Sequence, residues 1–145
     1  MSLEKSLWQR VKKGGVALKI LGHDVHMGRL ENVVGTGNPD VDICLDAVQI
    51  WLELKSEHRP ARPGTSIRPK VRVDQEIWLR ERVEAGCRNA FVLLQVGENA
   101  LSRLYLIPGS YYSVITTTED RLGKMSIVNP RSPMTTVLLQ AKIGW

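Results

Sequence analysis

The first residues of the chain carry an apolar side chain at every fourth position, at Leu3, Leu7 and Val11. This spacing is close to the 3.6-residue period of an α-helix and leaves polar residues on the opposite side. Because glycine is common where helices end, Gly14 and Gly15 predict the end of the helix. The pattern therefore predicts one amphipathic helix before this glycine pair.

Three strand-like runs follow the helix, at about residues 25–34, 41–45 and 48–54. A linker rich in glycine and proline separates the first two runs, as is typical of a turn. Only Asp46 and Ala47 separate the second run from the third, and so short a link is suited to a hairpin. The three runs therefore predict an antiparallel β-meander.

The next elements predict a crossover connection. Asp74 is a suitable N-cap for a helix that runs to about Ala85 and stops at Gly86. Residues 90–96 are almost continuously apolar, which is typical of a strand buried on both faces, and residues 104–107 predict another strand. A helix between two strands of one sheet predicts a parallel, right-handed crossover.

Together the elements predict an α/β fold with a mixed sheet and the order α-β-β-β-α-β over about residues 2–107. A C-terminal extension, residues 108–145, follows this core, and within it residues 133–143 fit either a helix or a strand. The length of 145 residues predicts a single domain with one hydrophobic core.

The composition favours an ordinary soluble domain, with 43% hydrophobic and 24% charged residues. No apolar run approaches the roughly 20 residues that a membrane-spanning helix needs. The start of the chain lacks the charged and apolar regions of a signal peptide, so the expected location is the cytoplasm.

The net charge of +5, from 20 basic and 15 acidic residues, indicates a polyanionic partner. Much of the positive charge lies in a proline-rich loop, residues 56–72, which has no acidic residue after Glu57. Five side chains of this basic loop are expected to contact the phosphates of DNA: Arg59, Arg62, Arg68, Lys70 and Arg72. A solvated surface loop is the alternative interpretation.

Candidate chemistry lies on the predicted hairpin. If the chain turns at Asp46 and Ala47, paired residues have numbers that sum to about 93, which places Asp40 opposite Glu53. Lys55 lies two residues beyond Glu53 and therefore projects from the same face of its strand. Because cross-strand neighbours have Cβ atoms about 4.5–5.5 Å apart, two carboxylates and an ammonium group converge on one patch.

Two adjacent carboxylates repel each other, and one of them normally takes up a proton unless a cation lies between them. Mg²⁺ or Mn²⁺ accepts carboxylate and carbonyl oxygens as ligands, and the Leu54 carbonyl lies between Glu53 and Lys55. A lysine beside such a metal can hold a water or neutralise charge on a phosphate. These groups are what the hydrolysis of a phosphodiester requires.

The series Gly37-x-Pro39-Asp40, twelve intervening residues and Glu53-x-Lys55 resembles the signature of the PD-(D/E)XK nuclease superfamily. The similarity is greatest to its small VRR-NUC and Holliday-junction-resolvase-like members. It covers about residues 2–107 and implies a restriction-endonuclease-like core, a mixed sheet with helices on both sides.

A second motif supports the resemblance. Gln75-x-x-Trp78-Leu79, with Gly86 beyond it, is similar to the Q-x-x-W-L…G pattern of these nucleases. The resemblance implies four catalytic residues: Asp40, Glu53, Lys55 and Gln75. The two carboxylates would be metal ligands, and the glutamine would orient the lysine or a water.

The resemblance also implies a further acidic metal ligand on the first helix. Glu4 lies there, and Glu31, on the strand that leads into the motif, is the alternative. The expected function is a Mg²⁺- or Mn²⁺-dependent DNA endonuclease that acts on branched or structured DNA. The resemblance further implies a homodimer, since symmetric incision of a junction needs paired sites. We expect no organic cofactor and no membrane partner.

Two other functions are consistent with the sequence. One is a non-catalytic DNA-binding module on the same fold, within a recombination or packaging assembly. The other is a basic protein-interaction domain that binds no nucleic acid. Metal titration separates the first from a nuclease, and the salt dependence of DNA binding separates the second.

Overall fold

A computed structural model describes residues 2–30 and 37–145 of the chain. It contains a five-stranded mixed sheet with helices on both faces, which confirms the predicted mixed α/β class. The strands stand in chain order across the sheet: β1 (Val25–Arg29), β2 (Val41–Leu45), β3 (Val48–Glu57), β4 (Ala90–Val96) and β5 (Arg103–Pro108). Among these described strands, only β3 and β4 are parallel to each other, and the other neighbours are antiparallel.

In the described part of the chain, four α-helices surround the sheet: α1 (Leu3–Ile20), α2 (Val73–Glu84), α3 (Glu119–Met125) and α4 (Met134–Ile143). The same residues also form two short 3₁₀-helices, Asn99–Leu101 and Gly109–Val114. Helix α2 connects β3 to β4, so the predicted parallel crossover is confirmed. Among residues 2–30 and 37–145, no helix has both the length and the apolar character needed to cross a membrane.

The sheet separates two apolar clusters. Helices α1 and α4 cover the first face, where Leu52 and Leu54 of β3 join the cluster. Helices α2 and α3 cover the second face, where Val92 and Leu94 of β4 are buried. Every residue of β4 is buried, as the sequence predicts for a strand covered on both faces.

The predicted end of the first helix at the glycine pair is wrong, because α1 continues through Gly14 and Gly15 to Ile20. Both glycines are buried and serve close packing. A Cβ atom on Gly14 would lie 2.6 Å from Cγ of Met134, and one on Gly15 would lie 2.6 Å from Cε of Met27. The missing side chains let α4 and β1 approach the helix.

Other boundaries also differ from the prediction. Strand β1 is described as far as Arg29, and residues 31–36, including Glu31, lie outside the described residues. Strand β3 continues to Glu57 and takes the first two residues of the predicted basic loop. Asp74 is not the N-cap of α2, because the helix begins one residue earlier. The open choice for residues 133–143 is settled as a helix, which begins at Met134.

Candidate active site

The hairpin of β2 and β3 places Asp40 beside Glu53. Val41 pairs with Leu52 and Leu45 with Val48, so the predicted register is confirmed and Asp40 precedes the first pair. The Leu54 N–H donates a hydrogen bond of 2.9 Å to Oδ2 of Asp40. The two carboxylates are almost fully buried, with 4% of Asp40 and 1% of Glu53 exposed.

Gly37 brings the turn before Asp40 against the start of α2. Its backbone is left-handed, with φ of +68°, and a Cβ atom there would lie 2.2 Å from the Asp74 carbonyl oxygen. Any larger residue would therefore push the two segments apart. The glycine of the Gly37-x-Pro39-Asp40 motif thus allows the segment that carries Asp40 to pack against the helix that carries Gln75.

Lys55 and Gln75 complete a cluster with the two carboxylates. Nζ of Lys55 lies 3.4 Å from Oε2 of Glu53 and donates a hydrogen bond of 3.5 Å to Oε1 of Gln75. Only 14% of the Lys55 side chain is exposed, and Gln75 is buried. The structure therefore brings together the four residues that the resemblance implies to be catalytic, on the second face of the sheet beneath α2.

Burial, together with the nearby charge of Asp40, raises the pKa of Glu53 to about 8 against the opposing effect of Lys55. Oε1 of Glu53 is buried and has no hydrogen-bond partner among residues 2–30 and 37–145. A buried polar atom without a partner costs free energy. The Glu53 carboxylate, next to that of Asp40, is therefore unfavourable for the stability of the protein when no ligand is bound.

The donor atoms of the cluster fit a divalent cation. Asp40 and Glu53 offer hard carboxylate oxygens, which Mg²⁺ and Mn²⁺ prefer, and one of these oxygens has no protein partner. The Leu54 N–H faces Asp40, and since the N–H and C=O of one strand residue point to the same side, its carbonyl faces Asp40 as well. The two carboxylates and the Leu54 carbonyl are therefore the groups that could hold the metal.

Glu4 does not join this cluster. Its carboxylate forms an ion pair of 2.7 Å with Nη2 of Arg29, and 46% of its side chain is exposed. Within the described ranges, no group of three or more His, Cys, Asp and Glu side chains comes together in a way that could hold a metal. The alternative acid, Glu31, lies outside the described residues.

Tyr112 touches the cluster from the C-terminal extension. Its hydroxyl donates a hydrogen bond of 2.5 Å to Oε1 of Gln75 and accepts one of 3.1 Å from the Arg72 N–H. Its ring centre lies 5.7 Å from Nζ of Lys55. The Tyr112 side chain is fully buried.

The contact of Tyr112 with the cluster has no signal in the sequence. A buried tyrosine hydroxyl needs a hydrogen-bond partner, but the sequence does not indicate which one. The 3₁₀-helix Gly109–Val114 decides this, because it turns the chain back towards α2 after β5. Gln75 thereby accepts hydrogen bonds from both Lys55 and Tyr112, which fixes its side-chain oxygen.

The basic loop has anchored ends and an exposed middle. Arg59 pairs with Glu119 at 2.8 Å, and Arg72 pairs with Asp74. Three other side chains of the loop are exposed and pair with no carboxylate of the described chain: Arg62, Arg68 and Lys70. The Arg72 end reaches the cluster through Tyr112, whereas Arg59 lies against the Asn99–Leu101 turn.

Comparison of the chain with protein-family models and with curated proteins finds no match. The PD-(D/E)XK resemblance therefore depends on the motif residues and on the order in which they occur. The structure shows that Asp40, Glu53, Lys55 and Gln75 lie next to one another.

Proposed function

We propose that the protein is a Mg²⁺- or Mn²⁺-dependent DNA endonuclease with a restriction-endonuclease-like core. One observation carries the proposal: two buried carboxylates, Asp40 and Glu53, adjoin a lysine, and one carboxylate oxygen lacks a partner among the described residues. The sheet supports it, because β2, β3 and β4 provide the two antiparallel strands and the parallel neighbour of such a core.

A purely structural role explains the cluster less well. Buried charged groups in a protein interior are normally paired and fully hydrogen-bonded, since desolvation is costly. Glu53 has one ion-pair contact, to Lys55, and its other oxygen has no partner in the described part of the chain. The arrangement therefore costs free energy, as is typical of a binding or catalytic site.

In the proposed reaction, Asp40, Glu53 and the Leu54 carbonyl hold the cation, which supplies a Lewis acid for the phosphoryl oxygens. Lys55 carries its charge at the more accessible side of the cluster. It would donate a hydrogen bond to a phosphate oxygen and offset negative charge in the transition state. Gln75 keeps the ammonium group in position.

DNA binding in this proposal uses the exposed middle of the basic loop. Arg62, Arg68 and Lys70 have no competing carboxylate in the part of the chain that the structure describes, so they are available to phosphates. Branched or otherwise structured DNA is the proposed substrate, and a homodimer is the proposed active form because paired incisions need two sites.

Calorimetric titration with Mn²⁺ and Mg²⁺ tests the metal site. We expect wild-type protein to bind the cation and Asp40→Asn to weaken binding at least about tenfold, because the loss of one carboxylate ligand costs more than 1.4 kcal/mol. Asp120→Asn is the matched control, since 83% of the Asp120 side chain is exposed on α3. Equal affinities of the wild type and Asp40→Asn would contradict the proposed ligand set.

Tyr112→Phe tests whether the tyrosine positions Lys55 through Gln75. We expect roughly a fivefold lower cleavage rate at unchanged KM, because the loss of a hydrogen bond worth about 1 kcal/mol lets the Gln75 oxygen move. The neighbouring Tyr111→Phe, at a half-exposed position, should retain the wild-type rate. A Tyr112→Phe variant with the full rate would show that the hydroxyl serves stability alone.

A further inference from the structure

We propose that a cleft on the first face of the sheet binds phosphate groups of a nucleic-acid backbone. The cleft has a volume of about 470 Å³ and lies between α1, the start of β5 and the segment before α4. Its polar lining side chains are Arg10, Asn99, Ser102, Arg103, Arg131 and Ser132. We refer to it as the arginine cleft.

The lining of the arginine cleft has the chemistry of a phosphate site. Its lining residues include three arginines and two serines, and no acidic residue lines it within the described residues. Arginine binds phosphate through several parallel N–H donors, and serine hydroxyls add further donors. No aromatic side chain among the described residues lines the cleft, so it offers no surface for stacking bases.

Arg10 is held in a fixed position before any ligand binds. Its Nη1 donates hydrogen bonds to Oε1 of Gln95 at 2.6 Å and to Oγ of Ser102 at 3.2 Å. Gln95 is itself buried, with 3% exposed, so the guanidinium is fixed against the sheet. Both bonds use the same nitrogen, and within the described chain Nε and Nη2 remain free to donate to a ligand.

Local contacts position the other two arginines: a backbone carbonyl binds the Arg103 side chain, and the Asn129 side chain binds the Arg131 backbone N–H. Nη1 of Arg103 donates to the Ser102 carbonyl at 2.9 Å, and Arg131 is exposed on a turn fixed by the Asn129 side chain. Glu119 lies near enough to Arg103 for their charges to interact. However, its two oxygens already bond to Arg59 and to the Tyr105 hydroxyl. The positive charge of the cleft is therefore largely uncompensated.

The position of the cleft separates it from the candidate active site. Gln95, which bonds to Arg10, pairs in the sheet with Ser56, the residue after Lys55. The Gln95 side chain points to the first face of the sheet, whereas Lys55 points to the second. A phosphate bound in the cleft is thus not the phosphate that the proposed reaction places beside Lys55. Contacts of this kind contribute affinity and orientation without reading the base sequence. The inference requires binding of DNA, but it does not require cleavage.

The test measures binding of a fluorescent 20-base-pair DNA duplex in EDTA, where no cleavage occurs. We expect Arg103→Ala/Arg131→Ala to weaken binding at least about tenfold at low salt. The slope of log K against log salt should also become shallower by about 1–2, because two phosphate contacts are lost. Arg121→Ala, at an exposed position on α3, should remain within twofold of the wild type.

Two further measurements keep the result interpretable. Ser132→Asp adds a negative charge to the cleft without removing an arginine, and it should weaken binding if the double variant proves unstable. Titration with inorganic phosphate, followed by the NMR signal of the Gln95 side-chain amide, tests for a free phosphate ligand. If phosphate shifts this signal but neither variant alters the affinity for DNA, the cleft binds free phosphate, and the proposal that it binds a nucleic-acid backbone is wrong.

Unchanged DNA affinity in both variants, with no response to phosphate, would overturn the arginine cleft as a phosphate site. These outcomes are independent of the proposed nuclease activity. Lys55→Met should cleave slowly even at saturating DNA concentration. The cleft variants should instead cleave slowly at low DNA concentration and approach the wild-type rate at saturation.

Discussion

Lys55→Met is expected to lower the rate of Mg²⁺-dependent DNA cleavage by roughly 10²–10³-fold or more, the range seen when one electrostatic stabiliser of a transition state is removed. Lys55 is the one cation in contact with both Glu53 and Gln75 among the described residues. Its loss therefore removes the positive charge that the proposed mechanism places beside the scissile phosphate.

The fold should survive this substitution. Methionine retains most of the aliphatic length of lysine. Burial raises the pKa of Glu53 to about 8 even beside Lys55, so at pH 7 the loss of the lysine leaves little negative charge on Glu53 unpaired. Lys13→Met, at an exposed position on α1, is the matched control and should cleave at the wild-type rate. A Lys55→Met variant with more than half of the wild-type rate would contradict the proposed role.

Glu53→Gln is expected to make the metal-free protein more stable at pH 9 by roughly 2–4 kcal/mol, while changing stability little at pH 5. The pKa of Glu53 is raised to about 8, mainly by burial. Between its ordinary value and pH 8, the folded protein holds a proton that the unfolded chain has released. The stability that this proton supports is present at low pH and is lost as the pH rises through 8.

Glutamine resembles protonated glutamate in size but does not ionise, so the variant avoids this loss. Urea unfolding in EDTA at pH 5 and pH 9 measures the difference. Glu81→Gln, at an exposed position on α2 without an ion pair in the described chain, is the control and should show none. If Glu53→Gln is less stable than the wild type at pH 9, Glu53 is charged and stabilising in the folded protein.

The sequence predicted the hairpin because local chemistry determines it. Asp46 and Ala47 both adopt positive φ, at 49° and 69°, and this two-residue turn matches the twist of β2 and β3. Once the turn is fixed, the register follows for every pair along the strands, including the approach of Asp40 to Glu53. The main part of the candidate site was therefore accessible from the sequence.

What the sequence did not predict depends on contacts between distant segments. A glycine pair ordinarily marks a helix end, but in α1 the packing of Met134 and Met27 against Gly14 and Gly15 outweighs this local preference. Tyr112 reaches Gln75 across 37 positions through a 3₁₀-helix whose course has no hydrophobic period. The arginine cleft likewise combines residues from α1, β5 and the segment before α4.

The most direct test of the proposed function is cleavage of a panel of branched, flapped, single-stranded and linear DNAs by the purified protein, with Mg²⁺ or Mn²⁺ and with EDTA. We expect metal-dependent cleavage of at least one structured DNA, which is absent in EDTA and at least about 10²-fold slower with Lys55→Met. If the wild type cleaves none of these DNAs with either metal, or cleaves them equally with Lys55→Met, the nuclease proposal is contradicted.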